Sequence, residues 1–300
     1  MTAGPLTDPP PVPSPLSAAR YCLAESRPVV QVVFLMRFLV GAVCVTSGTD
    51  NWSGPGVVLG GVAMTCAVTA AYLLNGVMDI AEDRVNGSRR PIARGALPVR
   101  VAVGVVGLLS GVALLLSAFV PGEFWLVALT LFLGYAYSVR PLAAKRRTAT
   151  SAVAVITTGL SSYLAGAVSA AGEIPIGALV FCGLLALWMG FVGAVTKDLG
   201  DIAGDRAGGR RTIAVVYSER TARLFAAVSA VVLGTAGLLL GLCAELVLLA
   251  GALPLALGAG WVAARCLQPD ANQARGPYRA FMVTQYAANA GLAAGLLAGG

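Results

Sequence analysis

Histidine is absent from this 300-residue sequence, and charged residues make up only 12% of it. The first absence excludes imidazole general bases and histidine-ligated metals. The second excludes an ordinary soluble domain, in which about 25% of residues are charged. Cysteine is sparse: Cys22, Cys44, Cys66, Cys182, Cys243 and Cys266 form no C-x-x-C pair. That scatter excludes a zinc ribbon or a dithiol redox motif and leaves small apolar packing residues. The start of the sequence does not read as a secretory leader. In place of a basic region and an apolar core, residues 1–18 carry Pro5, Pro9, Pro10, Pro11, Pro13 and Pro15. Such a stretch is expected to be disordered, so residues 1–27 read as a Pro-rich cytoplasmic tail and the first apolar segment as the anchor.

What the sequence has in excess is apolar residues, 57% of the chain, gathered in blocks. Nine blocks, at 29–47, 56–76, 99–120, 122–138, 149–171, 174–196, 222–242, 244–264 and 280–298, predict nine transmembrane helices in one all-α polytopic domain spanning 28–300. The charges sort by loop. With the N-terminus inside, 20 of the 21 Lys and Arg fall in the tail and the cytoplasmic loops, and only Arg37 lies within a span. The opposite loops carry Asp50, Glu123, Glu173 and Glu245 and no cation. The positive-inside rule thus argues for the orientation and the count of nine together. It also accounts for the formal charge of +7 without a nucleic-acid partner.

Two of the cytoplasmic loops, 77–98 and 197–221, are long and polar, which in a compact protein marks function. They also repeat each other. Asp79-Ile-Ala-Glu-Asp83-Arg is followed by Val-Asn-Gly-Ser-Arg89-Arg90, and Asp201-Ile-Ala-Gly-Asp205-Arg by Ala-Gly-Gly-Arg210-Arg211; the acidic pairs are offset by 122 residues, and one deletion realigns the Arg-Arg pairs. Two related halves, each with an Asp-rich cytoplasmic loop, are the natural reading, with a polar site where the halves meet.

Asn75, Asp79 and Asp83 lie at i, i+4 and i+8, and Asp198, Asp201 and Asp205 at i, i+3 and i+7; on a helix each set forms one stripe. Carboxylates that close repel one another unless a cation sits among them. Oxygen-only ligands suit a hard divalent ion, and Mg²⁺ characteristically bridges a few carboxylates to substrate phosphates. The adjoining arginines suit bidentate phosphate contacts, while Glu82 falls off the stripe. Acidic residues in a loop are most often solvated surface charge, but two matching stripes in matching loops argue against that reading here. A cation-coupled transporter is the competitor from another class, although its carboxylates belong near the midplane rather than at span ends.

The stretch N-x-x-x-D-x-x-x-D-R-x-N-x-x-x-R-P-I from Asn75 resembles the first signature of the UbiA superfamily of intramembrane prenyltransferases. K-D-x-x-D-x-x-x-D-R from Lys197 resembles its second, and Tyr137-Ser-Val-Arg140-Pro through Lys145-Arg146 its Tyr-Ser-x-x-Pro stretch. The resemblance covers about residues 28–298. It implies that Asn75, Asp79 and Asp83 hold one Mg²⁺ and that Asp201 and Asp205 hold a second, with Asp198 supporting or paired to Lys197. Asp79, Asp83, Asp201 and Asp205 would be the catalytic carboxylates. Arg84, Arg90, Lys145, Arg140, Lys197, Arg37 and Tyr137 are the implied diphosphate-binding residues. Arg37 is also read as a snorkelling or structurally paired arginine, and Tyr137 as an interfacial anchor.

The implied reaction is ionisation of an isoprenyl diphosphate, followed by transfer of the allylic cation to an aromatic or lipid acceptor within the bilayer. Tyr72, Phe132, Tyr135 and Tyr163 are candidate cation-stabilising faces. A terpene cyclase of the same superfamily, acting on the diphosphate alone, needs the same motifs. The second motif looks more like the branch acting on homogentisate, chlorophyllide or glycerol-phosphate ethers.

Overall fold

The computed structural model describes residues 14–45, 53–268 and 275–299. All the regular elements among them are helical, apart from one isolated bridge between Arg147 and Arg211. Asp50 and the prolines before Ser14 lie outside the described residues. Chain order is α1 (Pro15–Glu25), α2 (Pro28–Val43), α3 (Gly54–Met78), the short α4 (Ile80–Val85), α5 (Val99–Ser117), α6 (Glu123–Ser138) and α7 (Thr148–Ser169). Then come α8 (Ile176–Trp188), a π-turn (Met189–Gly193), and the short α9 (Ala194–Asp198), α10 (Ile202–Ala207) and α11 (Ile213–Val216). Last are α12 (Glu219–Cys243), α13 (Leu249–Leu267) and α14 (Gly276–Gly299).

The first correction concerns the N-terminal segment. The sequence predicts disorder to residue 18 and a free tail to 27, whereas α1 starts at Pro15. Proline is tolerated in a first helical turn because its missing N–H would have no partner there. Ser14 caps the turn by accepting from Ser17 N, and no proline follows until Pro28. A bend of 71° separates α1 from α2.

All nine apolar blocks are helical, but they are not equal as spans. Six segments are long and apolar enough alone: Gly54–Met78, Val99–Ser117, Thr148–Ser169, Ile176–Asp198, Glu219–Cys243 and Leu246–Leu267. The bent pair α1 and α2 makes a seventh candidate, and α6 is a shorter apolar helix. Sixteen residues reach about 24 Å at 1.5 Å each, short of a hydrocarbon core of about 30 Å. On α14, Arg279, Thr284, Gln285 and Asn289 interrupt the apolar run.

Lipid and core faces are clearly separated. Leu108, Trp125, Val232 and Leu257 face outward, while Phe38, Tyr163, Phe181, Trp188, Leu255 and Phe281 fill the centre. Small residues set the tightest approach. A Cβ at Gly41 would fall 1.9 Å from the Tyr163 carbonyl, and one at Gly166 would fall 1.8 Å from that of Phe38. Backbone contact of α2 with α7 therefore requires glycine on both sides, as in other packed membrane helices. The N-terminal end of α2 lies beside the ends of α3 and α9, where both Asp-rich loops emerge.

Candidate active site

The two loops share a backbone design. Asp79 and Asp201 each sit at the break between a span and a short helix, with φ/ψ of −101°/7° and −124°/11°. The Asp79 carbonyl accepts from Asp83 N at 2.8 Å, and that of Asp201 from Asp205 N at 2.9 Å. Each loop then turns on a glycine of positive φ, Gly87 at 61° and Gly209 at 66°, again 122 residues apart. Asp83 O accepts from Ser88 N and Asp205 O from Arg210 N, both at 2.8 Å. Asn86 ties the loops together, its Oδ1 accepting from Gly204 N at 2.8 Å.

The carboxylates are clamped by cations. Asp79 pairs with Lys145 and, at 2.8 Å, with Arg210; Arg210 also meets Glu82, and Asp205 at 3.2 Å. Arg90 bridges Asp83 at 3.0 Å and the buried Glu25 at 2.6 Å, while Glu25 also accepts from Ile92 N at 2.9 Å. Lys197 lies 3.7 Å from Asp198 and 3.8 Å from Asp201. These neighbours split the acids. Burial pushes Asp79 up, but Lys145 and Arg210 overcome it and hold the carboxyl at about 2. At Asp205 burial prevails, with Asp198 adding to it, and the carboxyl rises to about 7.

Two cavities meet here. A narrow one of about 120 Å³ runs into the bundle, with Asn75, Asp79, Asp198 and Arg210 at its polar end and Phe34, Val68, Leu133 and Phe281 along its apolar length. The second, of about 1070 Å³, is a basic vestibule between α1 and α14 that takes in Asp83, Arg90, Asp201 and Arg275. Arg27, Lys197 and Tyr278 line both.

Most of the expected residues come together: Asn75, Asp79, Asp198, Lys197 and Tyr137 on the narrow cavity, Asp83, Arg90 and Asp201 on the vestibule, and Lys145 and Asp205 through their ion pairs. Three do not join them. Arg84 is exposed and donates to Ala93 O at 3.0 Å, because the stripe that brings Asp83 inward turns its neighbour outward. Arg140 is exposed past the end of α6. Arg37 is buried within α2, 3.0 Å from Met189 Sδ and over the rings of Phe34 and Tyr163. Of the candidate cation-stabilising aromatics only Tyr72 lines the cavity. Phe132 and Tyr135 are exposed, and Tyr163 is sealed in the core with its hydroxyl donating to Asn289.

Glu25, Arg27, Glu82 and Arg210 complete the site without having been expected there. The repeat held a signal for Arg210, since its Arg-Arg pair matches Arg89-Arg90. No comparable signal marked Glu25 in an apparent tail.

Among the described residues no three carboxylates converge into a ready-made metal cage. The donors nevertheless suit magnesium: all are oxygens, and the buried Asp205 Oδ2 has no hydrogen-bond partner. An ion that binds through one or two carboxylates plus substrate phosphate does not need a closed cage.

These features define a class: a polytopic helical membrane protein with paired acidic loops, cross-linked by arginines, over an apolar cavity. Residues 34–284 match the UbiA prenyltransferase family along most of the chain. The chain belongs to that family. Among curated proteins it is 29% identical over 196 residues to the digeranylgeranylglyceryl phosphate synthase of Pyrococcus abyssi, covering 63% of this chain and 66% of that one. It is 30% identical to the synthase of Halobacterium salinarum, covering 71% and 75%. The match thus spans just under two thirds of the Pyrococcus protein's length, and 58% of that of the Sulfolobus acidocaldarius synthase. In fold it resembles a UbiA homologue of Archaeoglobus fulgidus bound to DMAPP and Mg²⁺, with a TM-score of 0.63 at 18% identity, covering 91% of this chain and 99% of that one.

Proposed function

We propose that this protein transfers an isoprenyl group from an isoprenyl diphosphate to a lipid acceptor with an anionic headgroup, releasing diphosphate, with two Mg²⁺ ions. The observation that carries this reading is the position of the two acidic loops, locked together by Arg210 at the mouth of an apolar cavity. In this reading the donor's chain enters the apolar cavity, while its diphosphate meets the carboxylates and the guanidinium groups. The Archaeoglobus homologue bound to DMAPP and Mg²⁺ supports the donor and the metal. All nine helical blocks cross the bilayer in this reading, with the loops and the N-terminus on the cytoplasmic side as the positive-inside rule requires.

Asn75, Asp79 and Asp83 would hold one ion, and Asp198, Asp201 and Asp205 the other. Bound there, magnesium offsets charge on the leaving diphosphate. Lys145, Arg90 and Arg210 supply fixed positive charge at the same place, already oriented by their ion pairs, so little reorganisation is needed as charge develops. Phe34, Tyr72 and Phe281 line the chamber where the allylic cation is left, and exclude water from it. The vestibule favours an anionic lipid over a neutral aromatic acceptor. Arg20, Arg94, Arg275 and Arg279 line it beside Val29, Val283 and Tyr286 of α2 and α14. The curated relatives, named for a glyceryl phosphate product, support the same choice.

The test is diphosphate release from geranyl, farnesyl and geranylgeranyl diphosphates by purified protein in lipid, with Mg²⁺ or EDTA. Aromatic acids and monoalkyl glyceryl phosphates serve as acceptors, and products are identified by mass. A mass-shifted glyceryl phosphate is the expected outcome. A shifted aromatic acid would overturn the acceptor, hydrocarbon products alone would indicate a cyclase, and no release from any donor would refute the enzyme reading.

A further inference from the structure

Helix α14 forms part of the wall between the two cavities. Tyr278, Phe281, Met282 and Gln285 line the narrow chamber, while Tyr278, Arg279, Met282, Val283 and Tyr286 line the vestibule. Five of the described residues open onto both: Arg27, Val30, Lys197, Tyr278 and Met282. Arg27 and Lys197 are cations that only donate hydrogen bonds, Val30 is apolar, and Met282 offers only a weak sulfur acceptor. Tyr278 alone among the five carries a neutral hydroxyl that both accepts and donates.

Packing holds the ring and leaves the hydroxyl available. Tyr278 stacks on Phe281 with centroids 5.8 Å apart and planes at 20°, and Phe281 stacks on the buried Trp188 at 5.9 Å and 21°. The π-turn confines Phe281 in turn, since a Cβ at Gly193 would fall 2.3 Å from Phe281 Cζ. A row of three rings anchored in the bundle core thus fixes one phenol at the junction, near Arg27 and Tyr72. Two neighbouring tyrosines are engaged: Tyr286 donates to Val29 O, and Tyr137 accepts from Ser151 Oγ. The Tyr278 hydroxyl has no hydrogen-bond partner among the described residues.

We propose that Tyr278 receives the acceptor's hydroxyl at the junction of the cavities and relays its proton. This rests on the reading that a glyceryl phosphate lipid attacks the allylic cation. The free hydroxyl of a monoalkyl glyceryl phosphate lies within a few bonds of its phosphate. A headgroup held by Arg279 in the vestibule therefore brings that hydroxyl to the adjoining phenol. The hydroxyl donates to the Tyr278 oxygen, which directs a lone pair of the acceptor oxygen into the chamber. Ionisation breaks the donor's allylic C–O bond, whose electron pair leaves with the diphosphate, and the acceptor oxygen forms the new C–O bond. Its proton passes to the phenol oxygen as the phenol's own proton passes to a diphosphate oxygen, so Tyr278 ends neutral. A phenol suits this step because it accepts and donates at one atom, which neither neighbouring cation does.

The test compares the full-length wild type with Tyr278→Phe, which keeps the stacked ring and removes only the hydroxyl. Tyr217→Phe, at an exposed position between α11 and α12, is the control. Each protein is given geranylgeranyl diphosphate, Mg²⁺ and a monoalkyl glyceryl phosphate in lipid. Ether product and free prenyl alcohol are quantified by mass, and binding of inorganic diphosphate with Mg²⁺ by calorimetry. Tyr278→Phe should form ether about 10²-fold more slowly, the lower end of what a positioned acid–base group contributes. Water entering from the vestibule should then capture the cation, so that alcohol replaces ether as the main product while Mg²⁺-diphosphate binding is unchanged. Tyr217→Phe should match wild type in all three readouts. A merely structural role would lower ether and alcohol together. Equal loss of the two products, or ether formation within about 3-fold of wild type, would overturn the proposal. Absence of ether product from wild type would overturn the acceptor reading itself, and the relay with it.

Discussion

Arg210 is the cation whose removal should cost most. Its guanidinium meets Asp79 at 2.8 Å, Asp205 at 3.2 Å and Glu82, with only 7% of its side chain exposed, so it joins the first acidic loop to the second. Arg210→Gln leaves two buried carboxylates and one half-buried carboxylate facing one another. Stripping one partner from a buried ion pair costs about 3–5 kcal/mol. The lower half of that range applies here, since Lys145 still serves Asp79 and Asp205 already sits at about 7 and takes up a proton readily. The assay is equilibrium unfolding of wild type and variant in mixed micelles, with EDTA and with Mg²⁺. Without metal, the variant should be less stable by about 3 kcal/mol. Magnesium should recover more stability in the variant than in wild type, because a divalent ion replaces the lost charge among the same carboxylates. A difference within about 0.5 kcal/mol, the range of an ordinary surface substitution, together with equal responses to Mg²⁺ would refute the reasoning.

Asp79→Ala and Asp201→Ala should each abolish diphosphate release while membrane insertion, checked by fractionation, is unchanged; near-normal turnover in both would dispose of the two-cluster site. Glu25→Gln removes the charge that orients Arg90, so KM for the donor should rise several-fold with a smaller change in kcat, measured by diphosphate release, and an unaltered KM would show that Arg90 holds its place alone. Gly76→Ala would set a Cβ 2.2 Å from Glu25 Oε1 and 2.6 Å from Arg90 Nη2, and the resulting overpacking should cost about 1–3 kcal/mol of stability together with activity. EDTA should stop release in wild type and Mg²⁺ should restore it; release that persists in EDTA would remove the metal from the reaction.

The helical blocks were legible because each buries or exposes a long apolar run, and a bilayer tolerates no other backbone solution from such a sequence. The acidic positions were legible from helical spacing, although Asp79 and Asp201 stand at breaks between helices rather than within one. The repeat was legible to the residue, as the equivalent glycine turns at Gly87 and Gly209 show. Arg84 and Arg140 lie exposed outside the cavities, because sequence proximity to a motif does not tell which way a side chain faces at a helix end. Arg37 was ambiguous because a lone cation in a span serves packing or substrate equally well, until Met189, Phe34 and Tyr163 are seen around it.

By itself, then, the sequence determined that this chain is a membrane-embedded helical bundle with two Asp-rich loops on one face, since period, hydropathy and charge asymmetry are local properties of the chain. Only the tertiary structure decided which cations serve those loops. Glu25 reaches Arg90 across 65 residues and Arg210 reaches Asp79 across 131. Such pairings are set by how helices pack, and no local pattern encodes them.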